Sequence, residues 1–414
     1  MDVANFDQDN PDRPCIRKTY KSADTNIVCV CNATYCDDIE PLASIPNGKA
    51  VVYVSSLAGK RFERSTVPIL ESRGEANLEI TVDARQEFQS IIGFGGAITD
   101  SAGINLASLS EKTQKRILET YFGKNGWFFT VKDLVQIPYI LSALNLTGGN
   151  LKLFASPWSA PGWMKTNGRM KGGGALLGKM NGEYYKSYAT YLTRFFEEYA
   201  KNGVKFWGMT LQNEPTSGAL PFYGWQTMFM SATMERDFVK GTLGPMFKKN
   251  DATKDLKVIA LDDNRMWLPN WADKVGLVFM VREILLLAKI RTLLYCVPML
   301  TTTGFPPTYP WVNFILLPSR KGYGNTVIQS TKVPIDFQIF DDPEATKYVD
   351  GIGVHWYLNA LASPSVLTTT HEHHPEKFIL ATEACTGSIG IHGPILGDWY
   401  RGEEYAEDII MVGF

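Results

Sequence analysis

Two glutamates close apolar runs of this chain, and their surroundings suit them to acid–base or nucleophilic work. Glu214 ends Lys205-Phe-Trp-Gly-Met-Thr-Leu-Gln-Asn-Glu-Pro215, and Glu383 ends Phe378-Ile-Leu-Ala-Thr-Glu-Ala384. A single glutamate at a strand end reads as a surface carboxylate. Two of them, with amides and aromatics after neighbouring strands, read as the pair that glycoside hydrolysis needs. In the retaining form of that reaction the carboxyl groups lie about 5 Å apart; one protonates the leaving oxygen while the other attacks the anomeric carbon. Close approach of two carboxylates also raises one pKa relative to the other, which separates acid from nucleophile. Asn213, beside the first glutamate, is suited to bind a sugar hydroxyl. Trp158, Trp163, Tyr223, Trp356 and Tyr357 offer flat apolar faces for sugar rings.

Elements distant in sequence must bring these residues together. From Ile91 onward apolar strands alternate with amphipathic helices, the pattern of βα units around a parallel sheet. Strands are predicted at Ile91–Phe94, Leu151–Ala155, Phe206–Leu211, Val258–Leu261, Ile352–His355 and Phe378–Ala381. Polar and aromatic groups follow several of them: Ser156-Pro-Trp, Gln212-Asn-Glu-Pro, Asp262-Asp-Asn, His355-Trp-Tyr and Thr382-Glu-Ala. The pattern gives an α/β fold class; in a (β/α)8 TIM barrel the loops after the strands build the site at one face, where such residues would converge. Helices are predicted over Ser110–Tyr121, with a serine cap, and Glu183–Ala200. In the latter, Tyr184, Tyr188, Tyr191, Phe195 and Tyr199 repeat at helical spacing and read as core. Lys49 to Ala84 reads instead as short alternating strands, including Val51-Val-Tyr-Val and Leu78-Glu-Ile-Thr-Val.

Composition narrows the function classes. The 414 residues include 41 Lys+Arg and 43 Asp+Glu, a net charge of −2, which excludes a polyanion-binding footprint; no nucleic-acid partner is expected. The most apolar stretch, Val275 to Leu300, is broken by Arg282, Glu283, Lys289, Arg291 and Pro298, so no transmembrane segment is expected. Met1 to Asp7 has no apolar leader run. Cys15, Cys29, Cys31 and Cys36 cluster among polar and β-branched residues, which favours local disulfides over zinc, since no histidine is near. Sequons at Asn32 and Asn145 agree with a secretory route. His371-Glu-His-His374 lacks the helical spacing of a zinc motif, and Gly93-Phe-Gly-Gly96 lacks a phosphate loop's lysine, so neither metal nor nucleotide cofactor is implied.

Longer blocks carry a resemblance. Phe154-Ala-Ser-Pro-Trp-Ser-Ala-Pro-Gly-Trp-Met-Lys-Thr-Asn-Gly168, Leu261-Asp-Asp-Asn-Arg265, Val354-His-Trp-Tyr357 and Ala381-Thr-Glu-Ala-Cys385 resemble, in order, the acid glucosylceramidases of glycoside hydrolase family 30. Gly93-Phe-Gly-Gly-Ala-Ile-Thr-Asp100 and Cys29-Val-Cys-Asn-Ala-Thr-Tyr-Cys36 continue it. The resemblance implies a (β/α)8 barrel with a β-sandwich and hydrolysis of the β-glucosidic bond of glucosylceramide with retention. It implies Glu214 as acid/base and Glu383 as nucleophile, with Trp158, Asn213, Tyr223, His355 and Tyr357 contacting glucose or orienting the carboxylates. It pairs Cys15 with Cys29 and Cys31 with Cys36. It also implies a lysosomal or secreted location, a saposin-type activator and an acidic lipid surface. The alternatives are a relative acting on another β-glycoside and a non-catalytic glycolipid-binding remnant.

The chain departs from that pattern in three places. After Gly126 the family's second strand and a glucose-binding aspartate are missing, although Trp127-Phe-Phe-Thr-Val131 is a candidate substitute strand. A segment at about 275–338 has no counterpart and reads as translated intron, the alternative being a genuine elaboration on the helix layer; a long structureless insertion is foreign to a barrel. The chain stops at Phe414 before an eighth strand, leaving about six firm ones. The expected organisation is a disulfide-bonded β segment over 1–37, partial β-sandwich strands over 38–88 and an incomplete barrel over 89–414.

Overall fold

The computed structural model describes residues 15–19, 27–37, 43–71, 74, 78–123, 128–131, 136–272, 338–387 and 395–413. The segment set aside at about 275–338 therefore lies almost wholly outside the described residues.

Near the N-terminus β1 (Arg17–Thr19) and β2 (Ile27–Cys29) pair antiparallel. Disulfides join Cys15 to Cys29 and Cys31 to Cys36, the pairing the resemblance implied. A second hairpin, β3 (Lys49–Val54) with β4 (Glu63–Pro68), reaches this knot through Arg61, 3.5 Å from Asp37 and bonded to the Cys29 sulfur. The expected strand at Leu78–Val82 is not formed. Leu78, Ile80 and Val82 are 79%, 79% and 86% exposed. Alternation specifies a strand only where a neighbour supplies the ladder, and none is present among the described residues.

The barrel sheet contains seven strands: β5 (Gly95–Ile98), β6 (Phe128–Val131), β7 (Lys152–Ala155), β8 (Gly208–Thr210), β9 (Lys257–Asn264), β10 (Gly351–His355) and β11 (Phe378–Glu383). They lie side by side in chain order, each parallel to the next. Phe128–Val131 thus takes the second position, as the substitute strand. The first strand is Gly95–Ile98, four residues beyond the predicted Ile91–Phe94, because register with β6 runs through the small residues Gly95 to Ala97. Ile91 and Phe94 are left 59% and 51% exposed.

Helices α1 (Asp100–Ala107), α2 (Glu111–Phe122), α3 (Ile137–Leu146), α4 (Glu183–Lys201), α5 (Ala232–Phe238), α6 (Gly244–Phe247), α7 (Pro343–Thr346), α8 (Ser365–His373) and α9 (Trp399–Gly413) complete the alternation. Ser110 caps α2 by accepting from Thr113 N, as its place before the apolar stripe predicts. On α4 the buried stripe is Tyr185, Tyr188, Leu192, Phe196 and Tyr199. Tyr184 and Tyr191 are solvent-facing, which corrects the all-aromatic stripe: leucine and alanine share the core face, and aromatics alone misplace its centre. The main core joins α4, α5 and β7 to β10; a smaller one joins α1 to α3 with Leu151 and Leu153.

Candidate active site

The site sits at the C-terminal ends of β8 to β11, and two irregularities of the sheet aim its side chains. Between β10 and β9 the register passes from Gly353↔Leu261 to Val354↔Asp263, so Asp262 is an extra, bulged residue. Between β10 and β11 it passes from Val354↔Ala381 to His355↔Glu383, which bulges Thr382. A bulge shifts the in/out alternation by one and redirects the next side chain. Both bulges close on Gly353: a Cβ there would stand 3.0 Å from Thr382 Oγ1 and 3.1 Å from Asp262 Cα. Leu261, Asp262 and Glu214 have φ of 69°, 51° and 41°, unfavourable for residues with a side chain. The Glu214 N–H donates to Asp262 O at 2.9 Å, so the three strained residues are one connected feature.

Around His355 the polar groups converge. Its Nε2 is 3.1 Å from Asp262 Oδ1 and its Nδ1 3.4 Å from Glu214 Oε1. Ligand atoms of Glu214, His355 and Glu383 all lie within 4.8 Å of one another. Tyr223 OH donates to Glu214 Oε2 at 2.8 Å, and Tyr357 OH to Glu383 Oε1 at 2.6 Å. Behind them Thr210 donates to Ser156 at 2.7 Å, and Ser156 donates to Asp262 Oδ2. Thr216 holds Asp263 at 2.6 Å.

Electrostatics follow from burial and this bonding. Burial opposes charge on His355, but its bonds to Asp262 and Glu214 and the Glu383 charge outweigh that and hold the imidazolium well above the usual range. Burial likewise works against ionised Asp262, yet His355, Ser156 and Thr382 lower its pKa. Burial and the Glu214 charge push Asp263 up. Burial also pushes Glu383 up, opposed in part by His355 and the Tyr357 hydroxyl. Burial and the adjacent carboxylates keep both tyrosines protonated. The triangle of Glu214, His355 and Glu383 also has the spacing of a cation site; both ring nitrogens of His355 face carboxylates there, and each glutamate accepts from a tyrosine.

Of the residues singled out in the sequence, Tyr223, Glu214 and His355 are hydrogen-bonded together, and the bonded pair of Tyr357 and Glu383 stands beside them, with Glu383 within 4.8 Å of Glu214 and His355. Asn213 is buried beside it, its N–H on Pro157 O at 2.9 Å, and half-buried Trp158 accepts from Gln212 Nε2 through its carbonyl at 2.9 Å. Trp356 is a correction: one face stacks on Tyr405 of α9 at 4.8 Å, so that face is not free for a sugar. Asp262 and Ser156 were noted only as polar residues after strands; their roles follow from the bulge, which single-sequence pattern does not reveal. A buried lysine, Lys165, was missed altogether. Its Nζ donates to the carbonyls of Met170, Gly172 and Thr227, tying the loop after β7 to the strap that carries Tyr223; burial lowers its pKa to about 8.

With this geometry in hand, comparison with known proteins is decisive. The family model described as the glycosyl hydrolase family 30 TIM-barrel domain matches residues 91–134, 132–278 and 334–412. The chain belongs to glycosyl hydrolase family 30. It is therefore a glycoside hydrolase by family. The match omits 279–333, inside the segment set aside above, and divides at 132–134, where the sequence departs from the family's second strand. A Caenorhabditis elegans protein provisionally named glucosylceramidase 3 is 42% identical over 96% of this chain and 70% of its own length. The lysosomal acid glucosylceramidase of Mus musculus is 31% identical over 96% of this chain and 71% of its own. Among solved structures, SrfJ from Salmonella typhimurium shares the fold with a TM-score of 0.63 at 21% identity, covering 88% of this chain and 72% of that one.

Proposed function

We propose that this family 30 member is a retaining β-glucosidase that hydrolyses the β-glucosidic bond of glucosylceramide, with Glu383 as nucleophile and Glu214 as acid/base. The observation that carries the reading is the approach of the two carboxylates to within 4.8 Å across His355, the separation of a double displacement and too short to seat a water between them as inversion needs. Glu383 attacks the anomeric carbon as the bond to the leaving oxygen breaks, and Glu214 gives that oxygen its proton. Glu214, now a carboxylate, takes a proton from water; the water oxygen attacks the anomeric carbon and Glu383 departs ionised. Tyr357 holds one Glu383 oxygen and leaves the other for attack, while Tyr223 and His355 fix the Glu214 carboxyl. The upward direction at Glu383 opposes the ionised form that a nucleophile needs, so the imidazolium and Tyr357 are what favour it in the cleft.

The choice of glucosylceramide rests on the names of the nematode and mouse relatives, and a lysosomal location on the mouse name; sphingolipid breakdown, a secretory route, an activator protein and an acidic lipid surface follow from the sequence resemblance. A cleft of about 520 Å³ beside Tyr357, lined by Arg265, Cys385, Thr386 and Arg401, offers room for an aglycone. N-glycans at Asn32 and Asn145 belong to the same reading; Asn145 is exposed on α3. No helix among the described residues is long and apolar enough to cross a membrane. The test is intact mass after incubation with a 2-deoxy-2-fluoro-β-glucoside. A gain of one sugar on the Glu383 peptide supports the assignment, and labelling elsewhere or none at all refutes it. Hydrolysis of glucosylceramide in anionic vesicles, set against a soluble β-xyloside, then decides the substrate.

A further inference from the structure

Behind the site a carboxyl group is buried between α5 and β9. Glu235 of α5 is 0% exposed, and its Oε2 accepts from the Leu261 N–H at 3.1 Å and from Trp271 Nε1 at 2.8 Å. Leu261 is where β9 leaves regular geometry: its φ is 69°, the next residue is the bulged Asp262, and an irregular strand presents an N–H outside the ordinary ladder. The Trp271 indole fixes the carboxyl from the turn after β9. Asp262 then meets His355 with its side chain and the Glu214 N–H with its carbonyl. One chain of contacts thus runs from Glu235 through the bulge to His355, a partner of the acid/base, and to the backbone of Glu214 itself.

We propose that Glu235 is a positioning residue for this site: by accepting from the Leu261 N–H it holds the β9 bulge that turns Asp262 onto His355 and sets the Glu214 backbone. Its importance for turnover rests on the reading of Glu214 and Glu383 given above; the effect on His355 does not. Burial raises Glu235 to about 8, and the charged groups acting on it are Asp262 and Asp263 of β9, both of which favour its neutral form. A neutral amide should therefore replace it, whereas a shorter acid cannot reach.

The experiment compares wild type, E235Q and E235D by nitrogen-15 NMR of the histidine side chains and by the rate of 2-fluoroglucoside labelling. E235Q keeps the acceptor oxygen and is expected to leave both within twofold of wild type. E235D withdraws it, and His355 should titrate nearer the ordinary histidine range while labelling slows at least tenfold at unchanged inhibitor affinity. An E235D that unfolds at lower temperature but leaves His355 titration and labelling as they were overturns the proposal and makes Glu235 a core stabiliser only. If wild type does not label, the glycosidase reading falls while the His355 titration still decides this one. Should E235D not fold, amide exchange of Leu261 in wild type and E235Q decides: protection equal to that of Ala260 in both supports the bond, and fast exchange in either overturns it.

Discussion

The two halves of the catalytic pair stand on unlike foundations. Strands β8, β9 and β10, which deliver Glu214, Asp262 and His355, are buried along nearly their whole length, with α4 and α5 packed on their outer side. Strand β11, which delivers Glu383, is only half-buried, and Ala381 within it is exposed. Packing therefore fixes the acid/base side, since a close-packed interior allows little displacement. The nucleophile side depends on a few directed contacts: the Thr382 bulge, Gly353 beneath it and the Tyr357 hydroxyl. One half of a site can thus be rigid by bulk and the other by hydrogen bonds.

The largest effect expected is chemical and bears on the half-buried strand alone. Glu383→Gln should lower turnover on the order of 10⁶-fold, the cost of deleting a covalent nucleophile, with little change in unfolding midpoint because the amide keeps the size of the side chain. Retention of activity within tenfold would remove Glu383 from the mechanism. A protein that still binds glucosylceramide vesicles as tightly after this change, from a wild type that never turned over, would instead be a glycolipid binder.

Next in size is a test of packing. Phe238, fully buried between Tyr185 and Tyr188, lies in the dense half; Phe238→Ala should cost about 3–5 kcal/mol in denaturant unfolding. Ile379→Ala on half-buried β11, whose side chain packs against the same core but is only partly buried, should cost about 1–2 kcal/mol. Equal losses would erase the difference between the two regions.

That difference also decides what was legible beforehand. In the dense half, β7, β9 and β10 were placed within a few residues, because buried parallel strands read as continuous apolar runs. The pair itself was legible because both glutamates end such runs. Illegible were the bulges at Asp262 and Thr382, which depend on how three strands share register and leave no local pattern. Leu78–Val82 shows the converse: perfect alternation, with no partner among the described residues to make a strand of it.

A smaller effect concerns pH. Because Glu383 must be ionised to attack and its pKa is raised, turnover should be present above that pKa and lost as pH falls through it, an acid limb above the ordinary glutamate value of about 4.3. Tyr357→Phe removes a bond that lowers this pKa, so the limb should move to higher pH and turnover near the acid limb should fall roughly tenfold, the worth of one charge-assisted hydrogen bond. An unmoved limb would mean that packing, not Tyr357, governs the nucleophile, and the two halves would then be alike.

The smallest effect on turnover concerns α9, which holds the loop after β10 and, through the Tyr405 hydroxyl that accepts from the Thr386 N–H at 3.1 Å, the loop after β11. Tyr405 stacks on Trp356 with rings 22° apart, and Asn359 donates to Asp408 at 2.6 Å, so α9 steadies this loop without touching either glutamate. Tyr405→Leu should cost about 1–3 kcal/mol, the worth of an aromatic pair beyond its buried area together with one hydrogen bond, and leave turnover within twofold. Tryptophan fluorescence should change as the Trp356 face opens. A loss of turnover as large as that of Tyr357→Phe would mean that α9 sets the position of Tyr357, and that the half-buried side of the site is held by its helix as well as by its hydrogen bonds.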